Sequence, residues 1–133
     1  MNKGLRTGLV GEEVFVVSEQ HLIDFIEGEM PQILCTPWLI WFLEHAARNA
    51  VVPFLEKGES TVGTVVNVQH LAATPLGEKV ICKAKVISTE GTQVSFQLEA
   101  HDEHELIARG TTKLRVIQAA RLARRVEKNR SDS

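Results

Sequence analysis

An α+β fold, a curved antiparallel β-sheet wrapped around one long central helix, is predicted by three observations. Thr36 to about Val52 carries a strong helix start followed by an all-round apolar run. After Lys57-Gly58-Glu59, apolar and polar residues alternate through about sixty positions broken only by short turns, the pattern of meandering antiparallel strands. One more strand candidate, Leu9 to Val17, precedes the helix. With 133 residues, 44% hydrophobic and 24% charged, the chain suits one compact domain with a real core, so residues 1–133 are read as a single domain.

The elements follow in order. Gly8 and Ser18 bracket the first strand. Leu22, Ile23, Phe25 and Ile26 recur at helical spacing, so a short helix is expected from Glu19 until Gly28, with Pro31 in the loop beyond. At Thr36-Pro37 the Thr can cap free backbone N–H groups, and Pro at the first helical position loses no hydrogen bond. Pro37 to Leu43 is apolar on every face, which predicts an enclosed helix. Four strands are expected at Thr61–Ala72, Glu78–Ser88, Thr92–His101 and Leu106–Ile117. Their alternation turns Val80, Cys82, Ala84 and Val86, then Val94, Phe96, Leu98 and Ala100, then Leu106 through Val116 in steps of two, toward the helix. A curved sheet closed around a helix in this way is the hot-dog arrangement. Ala119 to Lys128 has helix-forming composition and a basic face, with fraying expected at Ser131-Asp132-Ser133.

Charge and composition remove several function classes. With 15 basic and 17 acidic residues the net charge is -2, which provides no overall drive toward nucleic acid, so no nucleic-acid partner is expected. Met1 to Arg6 leads into no apolar run before Glu12 and Glu13, so no signal peptide is expected. The longest apolar run falls far short of the ~20 residues that span a bilayer, so no membrane association is expected. Cys35 and Cys82 stand far apart with no CxxC spacing, and a cytoplasmic, reducing location is the simplest expectation.

Polar residues placed where core is expected are the functional candidates. Glu44 directly follows the apolar run of the helix. Partly desolvated there, its carboxylate suits a general base or nucleophile; alternatively it pairs with Arg48 at i,i+4 on an exposed stripe. His70 falls by alternation with Val62, Thr64, Val66 and Val68 on one apolar face. Alone it reads as a satisfied core histidine; beside Glu44, within one chain or across a dimer interface, it becomes half of a proton-handling pair. Thr36 is either a helix cap or a hydroxyl at the positive helix end, where a developing oxyanion is favoured. Thr36 and Glu44 stand eight residues apart, about 12 Å of helix rise, so they do not touch along the helix. Trp38 and Trp41 either narrow a substrate pocket or fill core.

Other constellations read as structural. His101-Asp102-Glu103-His104-Glu105 has metal-ligand residue types at a hairpin corner rather than on one helix face, so a solvated turn is the expectation and no metal site is assigned. Cys35 could be an activated thiolate with His70 as base, or a small buried thiol. Arg121, Arg124, Arg125, Lys128 and Arg130 form a solvated face or meet an acidic partner or ligand phosphates.

Thr36-Pro37-Trp38 through Glu44, Pro53 to Glu59, Val62-Gly63-Thr64 up to His70, Ala72 to Gly77, Ala100-His101-Asp102 and Gly110-Thr111 together resemble the hot-dog thioesterases of the fluoroacetyl-CoA thioesterase-like family. That family has a Thr at the helix start, a Glu eight residues on and a His twenty-six residues after the Glu, the spacing of Thr36, Glu44 and His70. The resemblance implies hydrolysis of an acyl-CoA thioester. Glu44 would attack or activate water, His70 would assist proton transfer and polarise the acyl group, and Thr36 would support the carboxylate and thioester. Gly63 would let the acyl group approach the backbone. No metal or redox cofactor is implied, coenzyme A being part of the substrate. Where the fluoroacetyl-CoA enzyme has an Arg near the end of its last strand, this chain has Leu114 with Arg115 next to it, so fluoroacetate selectivity is not implied. A homodimer is expected, because a lone subunit leaves strand edges and one pocket wall open. The alternative function is a non-catalytic acyl-CoA or acyl-ligand binding protein on the same fold; a hydratase comes third.

Overall fold

The computed structural model describes residues 4–25 and 27–132, the side chain of Asp132 excepted. Five antiparallel strands, β1 (Val10–Val16), β2 (Glu59–His70), β3 (Lys79–Glu90), β4 (Gln93–His101) and β5 (Leu106–Gln118), form one sheet in the order β1-β3-β4-β5-β2. Helix α1 (Thr36–Val51) lies in its concave face, and α2 (Ala119–Asp132) continues from β5. This curled sheet around a helix is the hot-dog fold.

The core follows the alternation. Val80, Cys82, Ala84 and Val86 of β3 and Val94, Phe96, Leu98 and Ala100 of β4 are buried against Leu39, Leu43, Ala46 and Ala47 of α1. Burying Phe96 and Leu43 fully contributes roughly 1.5–3 kcal/mol each. Lys83, Lys85, Gln97, Glu99, Arg109, Lys113 and Arg115 are exposed on the outer face. Asn49 ties the helix to β1, its Nδ2 donating to Glu12 O at 2.8 Å and to Glu13 Oε2 at 2.7 Å.

Several expectations are corrected. The helix expected over Glu19–Gly28 is a single 3-10 turn, Glu19–His21. His21 turns its ring back so that Nδ1 accepts the Ser18 N–H at 3.0 Å, and Leu22 leaves in extended conformation to bridge Leu34. Ile26 lies outside the described residues. The cap position of α1 is Cys35, which makes Thr36 the first helical residue, and no side chain caps this end. Enclosure of α1 is one-sided: Trp41 is 45% exposed and stacks on His45 with ring centroids 3.7 Å apart. In β5 the buried residue after the corner is Ile107, because a register shift between Ala100 and His101 inserts one residue. The C-terminal helix extends past Lys128 to Asp132, with Ser133 outside the described residues.

The largest correction concerns β2. A β-bulge between Gly63 and Val65 leaves Thr64 without a partner and reverses the facing of the strand at that point. Before the bulge, Thr61 and Gly63 pair with the buried Val116 and Leu114 and face α1, while Val62 pairs with the outward Arg115. After it, Val66, Val68 and His70 pair with Thr112, Gly110 and Ala108 on the inner face. Val62 therefore does not share a face with His70, and Thr64 drops out of the pairing.

Candidate active site

Three elements converge on the start of α1. His70 ends β2, and Leu71 and Ala72 continue past it by donating their N–H groups to Ile107 O. The chain between β1 and α1 is laid alongside by Cys35 N–H to His21 O at 2.8 Å and Leu34 N–H to Thr74 O at 2.9 Å. As a result Thr36 Oγ1 and His70 Nδ1 stand 2.8 Å apart, joining residues 34 positions apart in the chain. The Thr36 hydroxyl is thus directed at an imidazole, not at the helix end. His70 Nε2 is buried with no hydrogen-bond partner. Burial pushes the imidazole below its ordinary 6.5, the Ala72 backbone acting weakly in the other direction, so the ring is neutral at pH 7. Thr36 and His70 line a cleft of about 300 Å³ whose other walls are apolar, among them Ile23, Met30, Ile33 and Leu71.

Glu44 is placed by a different contact. It is half-buried two turns further along α1, opposite Gly63 of β2, and a side-chain carbon on Gly63 would collide with Glu44 Oε1. The bulge creates this approach by turning Gly63 inward. Glu44, His45, Arg48, Thr61, Val62 and Gly63 line a second cleft of about 290 Å³. Glu44 and Arg48 share this cleft without forming an ion pair. The structure therefore brings Thr36 to His70 and Glu44 to Gly63, in two neighbouring clefts. Trp38 packs edge-on against His21 and Trp41. Neither tryptophan lines either cleft.

The remaining constellations are structural. Asp102 ties the β4–β5 corner, Oδ1 accepting from the backbone N–H of His104 and Glu105 and Oδ2 from Thr74 Oγ1. Burial pushes its carboxyl up, but these three donations, together with the nearby His104 ring, outweigh it and hold it below the usual value. Among the described residues no group of three or more His, Cys, Asp or Glu side chains is arranged to hold a metal ion. Burial and the nearby Glu13 push the Cys82 thiol up to about 12, so it stays protonated. Sequence reasoning missed the Thr36–His70 pair as a contact. The signal was Pro37: it supplies helix initiation by itself and leaves the Thr36 hydroxyl to other use.

Residues 17–120 match the family model of the fluoroacetyl-CoA-specific thioesterases. The chain belongs to this family. The fluoroacetyl-CoA thioesterase of Streptantibioticus cattleyicolor is 33% identical over 123 residues, covering 88% of each chain. Among solved structures, a thioesterase superfamily member from Thermus thermophilus superimposes with a TM-score of 0.87 at 29% identity, covering 98% of this chain and 99% of the other. The fluoroacetyl-CoA thioesterase structure superimposes with a TM-score of 0.87 at 32% identity, covering 95% and 98%. As a member of this family the chain is a thioesterase, a hydrolase. Among the described residues no helix is long and apolar enough to cross a membrane.

Proposed function

We propose that this hydrolase cleaves a short or medium acyl-CoA thioester to the free acid and coenzyme A, as a cytoplasmic homodimer. The observation that carries the chemistry is the approach of Gly63 to Glu44: with no side chain in the way, the half-buried carboxylate lies directly against the β2 backbone and lines an open cleft where an acyl group can reach it. Glu44 attacks the carbonyl carbon or takes a proton from the water that does so. The carbon–sulfur bond then breaks, the thiolate departing with little acid assistance, and on the first route water hydrolyses the resulting acyl–glutamyl anhydride to release the acid and restore Glu44. In the tautomer that accepts the Thr36 hydroxyl hydrogen bond at Nδ1, the neutral His70 ring carries its own proton on Nε2, the buried atom without a partner, and donates it to the developing oxyanion. The scheme uses no metal or redox cofactor. Free Cys35 and Cys82 suit a reducing compartment.

Dimerisation accounts for the two clefts. β2 is an edge strand with Val65 and Val66 exposed, and α1 exposes Trp41 beside the Glu44 cleft. A second copy covering these surfaces sets Thr36 and His70 of one protomer against Glu44 and Gly63 of the other.

Free-thiol release from an acyl-CoA panel tests the chemistry. Glu44→Gln and His70→Ala, each confirmed folded, are expected to lose on the order of 10²–10⁴-fold in kcat/KM. Absence of native turnover on every thioester would refute it. Mixing the two inactive variants tests the shared site: mixed dimers regain one intact site, restoring roughly a quarter of wild-type activity. No recovery on mixing, or a monomer by light scattering, would refute sharing. Label entering the Glu44 carboxylate during turnover in ¹⁸O-water would establish nucleophilic attack, since a general base is never acylated and takes up no oxygen from water.

A further inference from the structure

A cleft of about 610 Å³ opens where α2 leaves the sheet, away from Glu44 and His70. Arg115 of β5 lines it from one side and Arg121 and Arg125 of α2 from the other, with Thr92 and Gln118 between them. Arg121 and Arg125 are at i,i+4 and so share one helix face. None of the three arginines forms an ion pair among the described residues. One carboxylate, that of Glu59, lines the same cleft and accepts the Glu56 N–H at 2.8 Å. The first turn of α2 has no acidic residue, so the positive end of the helix adds to the arginines. On a chain of net charge -2 this is a local concentration of positive charge, and a multiply charged anion relieves it.

The cleft is one end of a longer track. It shares Ile117 and Leu122 with an adjoining, largely apolar groove, walled further by Thr61, Val62, Val126 and Glu127, whose carboxylate pairs with Arg130. That groove shares Thr61 and Val62 with the cleft holding Glu44 and Gly63. Positive charge at one end, an apolar middle and a carboxylate at the other follow β2 from Glu59 to Gly63, about 13 Å of strand.

We infer that this track holds the coenzyme A part of the substrate, with Arg115, Arg121 and Arg125 binding the phosphates of its nucleotide end and the apolar groove carrying the pantetheine arm. The inference rests on the thioesterase reading above. A guanidinium fork matches phosphate oxygens two at a time, and three forks on one cleft suit the several phosphates of this ligand. Arg121 and Arg125 lie on α2, beyond residue 120 where the family match ends.

The test uses the full chain and the double variant Arg121→Gln/Arg125→Gln, whose substitutions keep helix propensity. One acyl group is presented on coenzyme A and on pantetheine, which lacks the nucleotide, and binding of free coenzyme A is measured by calorimetry. The preference for the CoA thioester, taken as the ratio of the two kcat/KM values, is expected to fall on the order of tenfold or more in the variant, through KM. Free coenzyme A is expected to bind more weakly to the variant by a similar factor, and more weakly to the wild type as salt rises. Adenosine 3′,5′-bisphosphate is expected to compete with it far better than inorganic phosphate. An unchanged preference, unchanged coenzyme A affinity, or inorganic phosphate competing as well as the nucleotide would overturn the assignment. If the wild type turned over neither thioester, the thioesterase reading would fail, and the calorimetry would still decide the arginine site.

Discussion

Gly11 and Gly63 sit on the two edge strands of one sheet, both turned toward α1, and they do opposite work. A side chain on Gly11 would meet the backbone of the helix, Ala46 O and Ala50 N, as well as Ala50 Cβ. One on Gly63 would meet the carboxylate end of Glu44. On the β1 side the glycine lets strand and helix close on each other, and Asn49 secures the contact. On the β2 side the strand stays away from the helix backbone, much of it is exposed, and the glycine admits the Glu44 carboxylate against the strand. One edge of the sheet is built for stability and the other for chemistry.

Alanine at the two positions should separate these roles. Gly63→Ala should displace the Glu44 carboxylate and lower kcat/KM on the order of 100-fold. Because a flexible side chain can move aside, its stability should stay within about 1 kcal/mol of wild type by urea unfolding. A fully active Gly63→Ala enzyme would remove the special status of that approach. Gly11→Ala forces helix and strand backbones apart and should cost about 1–3 kcal/mol or more. A neutral result there would mean that β1 is not the structural edge.

Acid should affect both edges through their histidines. Burial pushes His70, at the end of β2, and His21, just past β1, below 6.5, with backbone groups of Ala72 and Val16 opposing weakly. The unfolded chain therefore takes up protons first as the pH falls. The stabilisation by each neutral ring is complete above pH 6.5 and is lost from there down through its lowered folded value. For the same reason the acid limb of kcat/KM should fall below pH 6.5, and a limb at or above that value would contradict a buried neutral His70. The smallest effect concerns the thiols. Half-buried Cys35 should react with a thiol reagent in the folded protein, whereas Cys82, buried and pushed up to about 12, should react only on unfolding. Equal reactivity would show that the β1 and β3 region opens readily.

Legibility in the sequence follows the same division. β3 and β4 are buried on one face and solvated on the other, so their alternation states strand, facing and core together, as at Val80 to Val86 and Val94 to Leu98. The edge strand β2 is not constrained by burial, and its bulge has no pattern of its own, so a strict count of two from His70 put Val62 on the wrong face. The helical spacing of Leu22, Ile23 and Phe25 likewise lost to backbone pairing that holds Leu22 and Ile23 extended beside Ile33 and Leu34, which in turn pair with Thr74 and Pro75.

By itself the sequence determined the fold class, the extent of α1, the three central strands and the residue types of the candidate site, because these rest on local propensity and on periodic burial. Only the tertiary structure decided that Thr36 reaches His70 instead of capping its helix, that Glu44 faces Gly63 instead of pairing with Arg48, and that three arginines share one cleft. Such pairings depend on where a bulge, a loop and a helix end come to rest. Contacts between residues distant in the chain settle that, and the local spacing does not encode it.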